Sequence, residues 1–493
     1  MGKRTRADAS RRFPRLTIAG PIAVVVAAGV AAGAVLIKRQ ISAARLPALP
    51  DLSAHTKAVG EHVREKLVAA QADPRSPSEV GALCLAYHAD LFYDEADRCY
   101  ALAEKLSPSE WRWTYYRALI HSERARSEAL AEAMQRVVEQ APQFSPAWWR
   151  LGEAAFKEGR YDRAEAAWKR AAAAPEPERG SAESPQHAAD LPVAAYASLG
   201  LARIALARED AEGARQTLEQ VTARSPRFGP AFRLLAQSYT ALGRTGDADR
   251  AMHRAGRLPP YAPYADPLVD RLARESRNST FLLRQASEAD VASNAAWSEY
   301  VTRRALEFDP NNPEVVSKLG RLLRTLGRSG EALEFFRKYN QMVPDDFQAL
   351  GQTGSCLSDL GRFAEAEPLL RRALERLDDA LTHYNLGALL SATGRFDEAV
   401  AEYQRALERD PDDPDARGNL AAVLVRLGKL SQASRELARV LELDPDNAAA
   451  HTNYGVLLLR EGREDQAARE FQAALRINPQ LIQASEALRQ LGR

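Results

Sequence analysis

Asn385, Asn419 and Asn453 stand 34 residues apart. Each carboxamide offers two N–H donors and a carbonyl acceptor, so a row of three can hold the backbone of an extended peptide whatever its side chains. A second set, Arg112, Tyr115, Tyr116, Trp149 and Arg150, combines guanidinium groups with large rings, the residue types enriched at binding hot spots. Groups for bond-making chemistry are not assembled in this way. The sequence contains no GxxxxGK[ST], HExxH or GxSxG and no GxGxxG following a strand, so no cofactor, metal or catalytic set is read from it. Its eight histidines are scattered. Cys84, Cys99 and Cys356 form neither a CxxC pair nor a metal-ligand spacing, and are expected to be small buried apolar residues. Acidic side chains such as Glu398 and Glu402 lie near Arg405 and read as solvated helix faces.

The elements that must carry these residues follow from the same period. Pro411, Pro445 and Pro479 are 34 apart, and so are Ala399, Ala433 and Ala467, and Gly394, Gly428 and Gly462. The pairs Leu386-Gly387, Leu420-Ala421 and Tyr454-Gly455 keep the step. A fixed period of this length is the signature of a helix–turn–helix array. Within one unit, small residues at positions 8 and 20 let two helices approach. Gly at position 15 ends the first helix where a positive φ is needed. Asp-Pro near position 32 ends the second helix, because the residue before Pro leaves the α region. Asn312-Pro313, Asp413-Pro414 and Ser145-Pro146 read as a cap followed by the first helical residue.

These positions resemble the tetratricopeptide repeat family, whose pattern is an aromatic, Leu-Gly, Tyr, later Ala, an aromatic, Ala and a closing Pro. Trp148, Leu151, Gly152, Gly159, Ala164, Trp168 and Ala171 follow it closely, as do Leu319-Gly320, Gly327, Ala332, Phe336 and Pro344. The resemblance implies an all-α solenoid, a right-handed superhelix of about eleven repeats. It also implies a groove lined by positions 2, 5, 6, 9, 12 and 13 of each first helix. Asn385, Asn419 and Asn453 fall at position 6, an arrangement that resembles the asparagine ladder in the repeat half of O-linked N-acetylglucosamine transferase. Only peptide holding carries over from it. Gln352 and Lys318 occupy position 6 upstream, where the ladder frays. Position 2 holds Leu381, Asp415 and Ala449, which lack the lysine of a chaperone-tail clamp. His383 and His451 fall at position 4, where the family packs an aromatic, and are expected in the core or at its edge.

The chain has 493 residues, 45% hydrophobic and 27% charged, with a net charge of +1. That balance excludes a strongly basic nucleic-acid binder. Residues 1–15 form a basic tail, and 16–37 carry no charge. At ~1.5 Å per residue this stretch spans ~33 Å, enough for a ~30 Å hydrocarbon core. It is longer than the usual apolar region of a cleaved signal. The more basic N-terminal flank places residues 1–15 in the cytoplasm and the repeats outside it, as a single-pass protein of a cell (inner) membrane with a periplasmic array. Gly29 and Gly33 make a GxxxG that could pair two such helices into a homodimer.

The remaining boundaries come from breaks in the rhythm. Residues 38–76 read as a linker and a capping helix with Val59, Val63 and Leu67 at helical spacing. A first sub-array is expected over 77–262, with a Pro-, Ser- and Glu-rich insertion at 176–193 that reads as a mobile surface loop. A divergent joint is expected at 263–312, a second sub-array at 313–481 and a closing helix at 482–493. The functional expectation is a non-enzymatic scaffold that binds proteins or extended peptides. Two alternatives stay open: a structural assembly or secretion factor of an envelope complex, and a regulatory subunit of an enzyme.

Overall fold

The computed structural model describes residues 46–176, 191–261, 264 and 266–492. The expected membrane span at 16–37, with Gly29 and Gly33, lies outside these residues, as does most of the 176–193 insertion. Among the described residues, no helix is long and apolar enough to cross a membrane.

Twenty-five helices are present among the described residues, with no strand. Twenty-two of them form eleven helix pairs, from Pro77–Ala89 with Tyr93–Leu106 to Ala448–Arg460 with Glu464–Ile477, with the single helix Pro267–Glu275 between the fifth and sixth. Caps fix where many first helices begin. The Asn312 side chain accepts from the Glu314 N–H at 3.0 Å, ahead of Pro313. Asn447 accepts from Ala450 at 2.8 Å, and Asp413 accepts from both Asp415 and Ala416. These bonds satisfy N–H groups that the helix cannot pair internally.

The turn inside each pair has one geometry throughout. Its residue at position 15 takes a positive φ of 71–80° at Gly159, Gly243, Gly327, Gly361, Gly394, Gly428 and Gly462. Four pairs lack the glycine yet keep the turn: Leu91 at 71°, Ala125 at 54°, Glu209 at 64° and Ser293 at 56°. The left-handed region costs a non-glycine residue about 1–2 kcal/mol, so packing of the pair imposes this turn even where the sequence disfavours it.

The pairs are held together where position 8 meets position 24. A Cβ on Gly387 would come within 3.0 Å of the Tyr403 ring, one on Gly320 within 2.9 Å of Phe336, and one on Gly455 within 2.6 Å of Phe471. Tyr403, Phe336 and Phe471 are fully buried. In the first pair, position 8 is Cys84, and it is joined by a disulfide to Cys99 on the second helix, with Cα atoms 5.2 Å apart. The expectation that both cysteines act only as apolar filler is thereby corrected. Cys356 alone is a free, buried thiol.

The chain divides into two compact units, Met1–Gln143 and Phe144–Arg493. In the first, the helix Lys57–Ala72 packs on Pro77–Ala89, with Val59, Val63 and Leu67 buried. It begins at Lys57 because Thr56 caps it. Buried His62 and Asp90 meet across this contact at 2.8 Å. In the second unit, one apolar core runs continuously from Leu319 through Phe336, Leu370, Leu386, Tyr403, Leu420 and Leu437 to Leu457. Ile482–Gln490 closes it with Ala484 and Leu488 buried near Phe471.

The break in rhythm expected at 263–312 lies inside the second unit. The pair Ser279–Val291 and Ala295–Phe308 packs like its neighbours, because Ala286, Ser298 and Thr302 are small and fully buried. Trp297 fills the remaining volume, also fully buried.

Candidate functional site

The three carboxamides occupy the same position on successive first helices, but not with equal access. Asn385 is 7% exposed, while Asn419 and Asn453 are half-buried. Asn419 Nδ2 donates to the Tyr384 hydroxyl of the preceding repeat at 3.1 Å. The row is therefore tied to a ring at position 5. Upstream, Gln352 is half-buried, and Lys318 is ion-paired with Asp290 of the preceding repeat. That pairing gives the fraying of the row at Lys318 a physical cause.

A second repeated link stands beside this row. Position 4 and position 23 of a repeat are joined three times running: His383 Nδ1 lies 2.6 Å from Glu402, Arg417 2.6 Å from Glu436, and His451 Nδ1 2.7 Å from Glu470. His383 Nε2 also reaches Asp378 at 2.6 Å. Hydrogen bonds from Arg409 and then His383 hold the Asp378 carboxyl below the usual carboxylate range. These histidines brace the two helices of a repeat, and both of their ring nitrogens are engaged.

The aromatic set divides. Tyr115 and Tyr116 are fully buried, so neither offers a face to an incoming chain. Tyr116 stacks on Tyr100 with centroids 5.7 Å apart and lies 6.4 Å from Trp113. This correction has a local cause. The usual core positions 4 and 7 of that repeat are Thr114 and Arg117, and Arg117 is committed to Asp97 at 2.7 Å and Glu104 at 3.3 Å. Thr114 is buried but small, and Trp113 and Tyr116 fill the remaining core volume. Arg112 sits over the Trp111 ring at 5.2 Å and pairs with Glu110 at 2.9 Å.

Trp149 and Arg150 are brought together on the helix Ser145–Lys157, and the chain's own later segment meets them there. The Tyr264 ring is 4.9 Å from Trp149 and 5.6 Å from Tyr196. Arg150 Nη2 donates to Asp266 Oδ2 at 2.9 Å, with the Asp266 side chain 1% exposed. Arg233 donates to the main-chain carbonyls of Leu258 at 3.3 Å and Pro259 at 3.4 Å. Gly229 lies directly under the Pro259 carbonyl, where a Cβ would collide with it. Tyr196, Arg233, Tyr264 and Asp266 were not legible as one site from spacing, because 116 residues separate Arg150 from Asp266. The nearest sequence signal is a tyrosine and an aspartate among Pro259, Pro260, Pro263 and Pro267.

Tetratricopeptide repeat family models match residues 126–179, 357–414 and 419–482, and a second such model matches 390–444. No curated protein matches the chain. Among solved structures, the chain is similar to YrrB, described as a TPR protein with an unusual peptide-binding site, at 24% identity over 38% of this chain and 97% of that one (TM-score 0.31). It is similar to PilW, a type IV pilus biogenesis factor, at 22% identity over 43% and 98% (TM-score 0.39). It is also similar to a chain of the Cut9–Hcn1 hetero-tetramer, at 14% over 87% and 92% (TM-score 0.42). The family matches show tetratricopeptide repeats at 126–179 and 357–482, and the remaining described helix pairs repeat the same α-hairpin architecture.

Proposed function

We propose that this chain is a non-enzymatic scaffold that holds extended peptides or proteins, anchored in a bacterial inner membrane by residues 16–37 with its repeats outside the cytoplasm. The observation that carries the binding half is the pair of half-buried carboxamides Asn419 and Asn453, at position 6 of adjoining first helices, with Asn385 of the same row largely buried. A carboxamide on each of adjoining first helices can both donate to and accept from an extended backbone. The compartment half is supported by two independent features. The uncharged stretch 16–37 is long enough to span a bilayer and has its basic flank on the N-terminal side. The Cys84–Cys99 disulfide belongs to a kind of bond that forms and persists in oxidising compartments.

The test of anchoring and orientation is a periplasm-active reporter fused after Arg493, read in whole cells and in washed membranes. Activity outside the cytoplasm that stays with the membrane supports the reading. No reporter activity from a chain that is expressed, or a soluble mature chain, overturns it. Crosslinking in intact membranes, with photoreactive groups at positions 419 and 453, tests binding. Adducts that depend on both positions support the scaffold, and their absence sinks it.

A further inference from the structure

The face formed by Trp149, Arg150, Tyr196 and Arg233 is already engaged with polypeptide. Each contact is of the kind by which a groove recognises a peptide. Arg233 binds two successive main-chain carbonyls. Trp149 and Tyr196, in edge contact with each other, both pack against one aromatic side chain. Arg150 takes a carboxylate two residues further on. Gly229 lets the bound backbone come close to the first helix of its repeat. The occupant is part of the same chain, represented by Leu258, Pro259, Tyr264 and Asp266, between the helices Thr245–Gly256 and Pro267–Glu275.

We propose that this face is a recognition site for peptides bearing an aromatic residue followed two positions later by a carboxylate, and that Tyr264 and Asp266 fill it as an internal ligand. The inference rests on the scaffold reading above but assigns a different face and a defined ligand chemistry. The internal ligand is tethered, so an external peptide competes against a high local concentration. Its apparent affinity is lowered by the fraction of chains whose face is open. Asp266 also caps the helix Pro267–Glu275, accepting from Leu268 N–H at 3.0 Å. An asparagine there keeps the cap and loses the charge.

The experiment measures binding of a fluorescein-labelled synthetic copy of residues 258–269 to the full chain by anisotropy. Tyr264→Ala with Asp266→Asn empties the face, and this double variant is expected to bind the copy roughly tenfold or more tighter than the unaltered chain. A copy with alanine in place of its tyrosine at 264 and aspartate at 266 binds the double variant roughly tenfold more weakly. Adding Trp149→Ala or Arg150→Ala to the double variant removes saturable binding. Circular dichroism checks folding. Should the double variant not fold, Asp266→Asn alone carries the test, with a gain of about threefold expected from loss of the ion pair. Equal binding by the double variant and the unaltered chain, or equal binding of the two copies, overturns the proposal. The same variants go through the membrane crosslinking described above. Adducts at 419 and 453 without binding of the copy sink the internal ligand alone, whereas no adducts and no binding sink it together with the scaffold reading.

Discussion

Cys84 is bonded to Cys99 at the level where other repeats set a glycine beneath an aromatic ring. The bond closes a sequence separation of 15 residues, and a loop of that length is worth about 3 kcal/mol in the chain-entropy account. Replacing both cysteines by serine is expected to destabilise the unit Met1–Gln143 by roughly 2–4 kcal/mol. Urea denaturation of the oxidised, reduced and doubly substituted chains checks this. Reduction should reproduce the double substitution, and the unit Phe144–Arg493 should be unaffected.

Thiol accessibility gives a second expected outcome. Cys356 is fully buried, and burial pushes its thiol up to about 12. Since the thiolate is the reactive form, iodoacetamide at neutral pH should modify no cysteine in the native oxidised chain. Denaturation without reductant should expose one, and denaturation with reductant three. Mass spectrometry counts the adducts directly. A native chain alkylated at Cys84 or Cys99 would sink the pairing.

Among the exposed residues that hold a positive φ without being glycine are Ala125 and Glu209, each in the turn inside a helix pair. Ala125→Gly and Glu209→Gly should each raise stability by about 0.5–1 kcal/mol, the relief of left-handed strain less the added flexibility of the unfolded chain. Gly428→Ala should lower it by a similar amount, since that residue sits at φ 72°. Thermal melts of the three variants decide the sign.

A glycine under a ring is a packing requirement of a different kind. Gly387→Val would place a branched side chain against buried Tyr403. Overpacking of this sort costs typically about 1–3 kcal/mol. Ala388, half-buried beside it, should tolerate the same change within about 0.5 kcal/mol, as a position away from such a close contact. Denaturant midpoints of the two valine variants separate them.

For the carboxamide row, Asn419→Ala with Asn453→Ala is the clean test, because Asn385 is largely buried. At about 0.5–1.5 kcal/mol per hydrogen bond, and one bond from each side chain, the pair should cost about 1–3 kcal/mol of binding, or roughly five- to 150-fold. A peptide selected from a random displayed library against the unaltered chain is the probe, read by calorimetry. Unchanged affinity would remove the row from the binding surface.

Much of this was written in the sequence because a solenoid repeats its local rules. The period, the turn glycines and the Asn and Asp caps each act within a few residues, so spacing alone placed the helix pairs. The disulfide was hidden for a different reason. Fifteen residues is no motif by itself, and it becomes contact only once Cys84 and Cys99 are recognised as facing positions of one pair. Tyr115 and Tyr116 were misplaced because the usual register was applied to a repeat whose core positions hold Thr114 and Arg117. Tyr264 and Asp266 meet Trp149 and Arg150 through a return of the chain, and no local rule reports a return.

The contact of Arg257 with Leu443 and Asp444 has mechanical meaning. Arg257 donates to the Leu443 carbonyl at 3.2 Å across 186 residues, and Arg254 reaches Asp446 at 3.5 Å. A repeat stack whose members touch only their neighbours stretches like an open spring, each interface yielding a little under load. A bridge between distant coils changes that spring into a clasped one. Force applied between Gly256 and Ala448 meets a few charged groups before it meets the helices. Those charges are partly exposed, so salt weakens the clasp while leaving the coils intact. Ionic strength would thus set the compliance of this half of the molecule without altering a single repeat.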